Sequence, residues 1–273
     1  MSYNTWYAFT ARHEYVTLDK ADPEAWVLSQ QPDVVGLQEL TDIKPERLQE
    51  LAEAWGHQNS SLLKTSGFSV GLTSRWPIET IEKRVRDMHH GYLHAKTEGV
   101  HYFVVHLSPF KWEVRRREAK ILMGKIAPLL KQNENVVVLG DFNAVSEEDQ
   151  SWLEAKRNVK ILAAKKESDA KHGHVQNLKD GKFDYEVMNI FFRGGLKDSA
   201  TGHLPQSFET RVSLNTVMWN QNKTTTEEGE RIDFILCSEG MQEAVQSCQI
   251  ITKGEVNKIS DHYPVVVDFE PRE

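Results

Sequence analysis

Val136-Val137-Val138-Leu139-Gly140-Asp141-Phe142-Asn143 decides the reading of this chain. Four consecutive aliphatic residues, three of them β-branched, describe a short strand buried on both faces. The strand then delivers an acid, Asp141, and two residues later an amide, Asn143, to the sheet's edge. There both side chains can face one ligand. A carboxylate suits Mg²⁺ or an oriented water, and an amide can donate to a phosphate oxygen. An Asx turn closing a strand is the plainer account of the same residues.

Runs of the same kind recur on both sides: Val34-Val35-Gly36-Leu37, Tyr102-Phe103-Val104-Val105, Ile232-Asp233-Phe234-Ile235-Leu236 and a last strand over Val265–Phe269. Helices are predicted between them. Asp22 can cap one that begins at Pro23, a second runs from Pro45 to about Trp55, and the longest covers Trp112 to Lys131. In that helix Val114, Ile121, Leu122, Ile126 and Leu129 form the buried stripe, and Arg115-Arg116-Arg117 reads as a solvated face. Asn158–Lys182 reads as a surface excursion, and Thr224–Gly229 as a polar turn joining two strands. With no repeat and no linker, the pattern implies one α/β domain over residues 1–273, two sheets packed face to face with helices outside.

Composition narrows the function classes. The chain has 273 residues, 39% hydrophobic and 27% charged, and no apolar stretch approaches the ~20 residues of a transmembrane segment. Lys+Arg 33 against Asp+Glu 40 gives a net charge of -7, which disfavours an extended basic grip on nucleic acid. Cys237 and Cys248 define no disulfide framework and read as small core residues. No secretory signal opens the chain, which starts inside what reads as a strand, so a leader or further strand residues ahead of it are allowed for. Compartment and oligomeric state are not encoded in any motif.

Five more polar clusters stand at predicted strand ends. Asn4 closes the opening strand, and Glu39 closes the one through Gln38. His106 ends the strand before the longest helix, and Asp261 and His262 precede the final strand. In Glu230-Arg231-Ile232-Asp233 a period of two puts Arg231 and Asp233 on one face. An acid in an apolar strand needs a partner, and His262 is the candidate. Each alone has a dull explanation, but sites gather where strand ends converge.

Together, in this order from Asn4 to Val267, the clusters resemble the endonuclease/exonuclease/phosphatase superfamily. The resemblance implies a four-layer α/β sandwich of two mostly antiparallel sheets flanked by helices, and a Mg²⁺-dependent phosphoesterase in which Mn²⁺ substitutes. It implies that Asn4, Glu39 and Asp261 sit at the metal, Glu39 as the principal ligand. His106 would contact the scissile phosphate, Asp141 would align the attacking water, and Asn143 would hold a phosphate oxygen. Asp233 would orient His262 against the developing charge, and Arg231 is assigned to substrate. The sequence departs from the abasic-site branch in carrying Trp6 where that branch has an acid. Trp6, Tyr7 and Phe9 are candidates for a pocket wall or a core edge.

The acidic balance favours a small phosphodiester, phosphomonoester or lipid headgroup, with DNA or RNA cleavage as the alternative. A catalytically inactive phosphate-binding module is the third reading, although every acid and histidine of the motifs is present. A zinc site is disfavoured because His89, His90, His94 and His101 form no helical pair with a Glu and no cysteine cluster assists. His89 and His90 are expected at the surface, though either can reach substrate from a strand start.

Overall fold

A computed structural model describes residues 1–10, 21–154, 159–204, 212–214 and 229–270. The first sheet contains β1 (Ser2–Asn4), β2 (Val34–Gln38), β3 (Asn59–Leu62), β4 (Gly71–Ser74), β11 (Val245–Ile250) and β12 (Val265–Phe269). Their spatial order is β11-β12-β1-β2-β4-β3. The second contains β5 (Glu79–Arg84), β6 (Tyr92–Thr97), β7 (Val100–His106), β8 (Asn135–Asp141), β9 (Lys197–Asp198) and β10 (Asp233–Cys237). Its order is β5-β6-β7-β8-β10-β9. All neighbouring pairs are antiparallel except β1 with β2 and β7 with β8. Both sheets are therefore mixed and mostly antiparallel.

Seven α-helices stand among the described residues: α1 (Pro23–Ser29), α2 (Pro45–Ala54), α3 (Trp112–Lys131), α4 (Gln150–Leu153), α5 (Val159–Lys171), α6 (Glu186–Arg193) and α7 (Glu239–Glu243). The cap predicted for α1 is made, with Asp22 accepting from the N–H groups of Glu24 and Ala25 at 2.9 and 3.2 Å. The excursion carries α5, which has no buried residue. Its weak apolar periodicity is what an exposed helix shows. The turn predicted at Thr224–Gly229 lies outside the described residues apart from Gly229.

The central run behaves as its composition requires. Val137 and Leu139 of β8 point into a core that also holds Tyr3, Leu37, Val104 and Ile235, so it fills the space between the sheets. Val136 and Val138 point the other way, into a core built with Leu122, Ile126 and Phe191 of α3 and α6. The sheets approach so closely that a Cβ on Gly36 would lie 2.6 Å from Leu139 Cδ1. Arg115, expected in solvent, is instead buried and donates to the carbonyls of Ser108 and Asn177. Arg116 pairs with Asp184, leaving Arg117 as the exposed member of that triplet.

Register is what builds the site. β7 and β8 run parallel with His106 opposite Asp141, and antiparallel β10 sets Asp233 opposite the same Asp141. In the other sheet Asn4 lies opposite Gln38, one residue from Glu39. Gly140 makes the β7–β8 pairing possible: at φ +145° any Cβ there would sit 1.9 Å from the Val105 carbonyl oxygen.

Candidate active site

Asp141 is the hub. Its Oδ1 accepts the Asn143 backbone N–H at 2.8 Å, the Asx turn anticipated for this motif. Its Oδ2 accepts the Asn4 side-chain amide at 3.2 Å across the gap between the sheets. The same oxygen lies 3.5 Å from His106 Nε2 and 3.9 Å from His262 Nε2. Burial, then the neighbouring charge of Asp233, raises the Asp141 carboxyl well above the usual carboxylate range.

His262 is fixed from behind. Its Nδ1 is 2.8 Å from Asp233 Oδ2, and its backbone N–H donates to Ser260 Oγ. Burial by itself would lower its pKa, but Asp233, Asp261 and Asp141 more than offset that and hold the imidazole well above its usual value. A cationic His262 donates from both nitrogens, one to Asp233 and one toward the space beside Asp141. His106 is held well below its usual value, first by burial and then by His90 and His262. The surroundings thus favour the charged form of His262 and the neutral form of His106.

The remaining acids crowd the same spot. Asn4 also donates to Glu39 Oε1 at 3.3 Å. Glu39 follows β2 in a left-handed conformation, φ +56°, the kind of local strain that concentrates at functional sites. Burial raises its carboxyl. Asp261, buried and touched by the charge of Glu39, is pushed up to about 6, with burial the larger cause. Asp233 Oδ1 is buried with no hydrogen-bond partner among the described residues. Four neighbouring acids, three of them with raised carboxyls, are the environment that a divalent cation relieves.

Among the described residues, Asp141, Asp233 and His262 form a trio that could hold a metal ion, with ligand atoms within 4.8 Å of one another. It differs from the expected set of Asn4, Glu39 and Asp261. Two members of the trio are already joined to each other through Nδ1 of His262. Of the expected set, Asn4 links the two groups by donating to both Asp141 Oδ2 and Glu39 Oε1.

Arg231 is the correction. β10 begins at Asp233, so the period of two does not reach back to Arg231. The guanidinium lies over the Phe234 ring and bonds Asp149 and Asp198 at 2.7 Å each. Only 2% exposed, it is committed to those two carboxylates in the interior, where the sequence reading assigns it to substrate.

Sequence reasoning also missed several supporting groups. Ser213 Oγ accepts the N–H groups of Ile232 and Asp233, and nothing in the sequence around it signals that role. Glu118 of α3, fully buried, accepts the N–H groups of His89 and Ser108 at 2.6 and 2.8 Å. His90 is buried, not at the surface as expected, and stacks on His106 with centroids 4.2 Å apart. Its adjacency to His89 and Gly91 was the available signal.

The sequence matches the model of the endonuclease/exonuclease/phosphatase family over residues 1–262. The chain belongs to that family. Its members are phosphoesterases and nucleases that depend on a divalent metal, and the carboxylate and histidine cluster is a possible metal site. Solved structures carry the same fold. An abasic-site endonuclease from Archaeoglobus fulgidus superposes with a TM-score of 0.62 at 17% identity, covering 91% of this chain and 93% of that one. A 3′ phosphatase, NExo, from Neisseria bound to a product DNA hairpin gives 0.64 at 19% identity over 91% and 93%. A 3′-5′ exonuclease from Neisseria meningitidis gives 0.63 at 19% over 91% and 94%. No curated protein matches the sequence. The enzyme is a hydrolase of this family, and no helix among its described residues is long and apolar enough to cross a membrane.

Proposed function

We propose that this enzyme hydrolyses small phosphate esters with Mg²⁺, and that Asp141 aligns and deprotonates the attacking water. The observation that carries the reading is the convergence of Asn4, His106 and His262 on one oxygen of Asp141, at 3.2, 3.5 and 3.9 Å. At those separations neither imidazole makes a direct hydrogen bond to the carboxylate, so both Nε2 groups remain available to a water or phosphate oxygen seated beside Asp141. A carboxylate whose proton affinity is raised by burial is the better base for that water.

Asn4, Glu39 and Asp261 would hold the metal; their hard oxygen donors and raised carboxyls fit Mg²⁺, with Mn²⁺ as a substitute. Bound there, the ion supplies charge neutralisation at the leaving or non-bridging oxygen. The protein's own groups do the rest. His262, kept cationic by Asp233, stabilises charge on phosphorus, and neutral His106 contacts the scissile phosphate. Asn143 donates one N–H to the Leu107 carbonyl at 3.0 Å and keeps its second for a phosphate oxygen.

The net charge of -7 favours a small phosphodiester, phosphomonoester or lipid headgroup. Cleavage of DNA is the second reading, favoured by the DNA hairpin on the Neisseria 3′ phosphatase. Plasmid DNA set against sugar, inositol and lipid phosphates, with Mg²⁺ and then with chelator, separates the two. We expect metal-dependent release of phosphate or alcohol from the small esters. Strong plasmid nicking at low enzyme reverses the preference. Asp141→Asn is expected to lower turnover by about two orders of magnitude with an unchanged circular dichroism spectrum; activity within a few-fold of wild type rejects the assignment.

A further inference from the structure

Beside His106 begins a continuous row of rings that the chemistry above leaves unused. His90 stacks on His106, and His89 stands at right angles to His90, 4.3 Å away. From His89 the row continues to Phe110 at 5.0 Å and to His174 at 5.5 Å. In the other direction it runs from His90 to Phe68 at 5.5 Å and Tyr7 at 5.4 Å. Tyr7 is 38% and Phe110 37% exposed, while His89 and His174 are also open to solvent. Four exposed rings, Tyr7, His89, Phe110 and His174, therefore flank the site at the surface, over buried His90 and His106 and half-buried Phe68.

Two features show that this surface is held in place. Trp6, Tyr7, Ala8 and Phe9 all have φ between +43° and +61°, a left-handed turn that sets Tyr7 against Phe68. Behind the row, the Glu118 carboxylate pins the backbone of His89. Its electrostatics are mainly positive. Lys111 and Arg117 line a groove with His89, Phe110 and His174, in which Asp87 is the acid, and the charge of Lys64 reaches His89 and His90.

We propose that this row binds a flat unsaturated ring carried by the substrate, of the nucleobase type, while Lys111 and Arg117 take a phosphate flanking it. The inference rests on the phosphoesterase reading, since it concerns the part of the ester beyond the scissile phosphorus. Edge-on and open rings accept a planar ring by stacking, and cations beside them accept its phosphate. A puckered saturated group of equal size gains only part of that contact.

Binding of phenylphosphonate, cyclohexylphosphonate and inorganic phosphate to the Mg²⁺-loaded protein, measured by calorimetry, tests this. The expected preference for phenyl over cyclohexyl is about tenfold, the scale of one stacked ring. Phe110→Leu, which keeps apolar bulk, and Tyr7→Ala should each shrink that ratio about threefold or more. Trp76→Ala removes an exposed ring beyond the far end of β4 and should leave the ratio as it is. Equal affinity for the two phosphonates, with phosphate bound and esters hydrolysed, overturns the ring site and spares the phosphoesterase. Absence of any phosphate binding or hydrolysis overturns both. Thymidine monophosphate and an eight-residue oligothymidylate separate the sources: equal affinity supports a single-ring site, and a much tighter oligonucleotide supports a strand laid along the row.

Discussion

Asp233 raises the proton affinity of His262, and in the proposed mechanism charge is what that imidazole contributes. The pair raises the folded-state pKa of the imidazole, so its stabilising effect is complete below the unfolded value near 6.5 and is lost as pH rises through the folded value. In Asp233→Asn the cation loses its partner and deprotonates earlier. The ratio of wild-type to variant turnover should therefore grow from pH 6 to pH 8; a ratio flat across that range removes the electrostatic role. His94 shows the opposite sign. It stacks on Phe103, hydrogen-bonds His101 at 3.0 Å, and burial, followed by His101, lowers it to about 4. Its contribution is present above pH 6.5 and lost as pH falls through 4. His94→Phe should flatten the fall in urea midpoint between pH 7 and pH 4.5, and parallel pH profiles for the two proteins would refute it.

At the scale of elements, the site depends on how two parallel strands and an antiparallel third are registered. His106, Asp141 and Asp233 are brought level only because β7 and β10 flank β8 in this register. Gly140→Ala forces a methyl group to within 1.9 Å of a backbone oxygen, so the strands must part. A loss of at least about 3 kcal/mol is expected from urea unfolding, in the severe tail for single substitutions. Turnover should fall with it, because His106 and Asp141 move apart. A stable, active variant would show that the pairing has slack.

At the scale of the whole molecule, a buried ion cluster two residues along the chain from Asp233 ties distant segments together. Arg231 joins Asp149, which precedes α4, to Asp198 of β9. Arg231→Met leaves two buried acids facing each other and should cost about 3–5 kcal/mol. Adding Asp149→Asn and Asp198→Asn should restore much of that loss in chemical denaturation. No restoration would mean that the guanidinium's packing on Phe234, not its charge, does the stabilising.

Much of this architecture was legible in the chain. β-branched runs marked the central strands, Asp22-Pro23 marked a helix start, and polar residues closing those strands marked where a site would form. Such signals are local: propensity, period and capping act over a few neighbouring residues. The fate of Arg231, the stacking of His90 on His106, the support from Glu118 and Ser213 and the ring row from Tyr7 to His174 were not legible. Each depends on which distant surfaces meet and on what burial then does to a charge, and in this protein packing between the two sheets and α3 settled those matters.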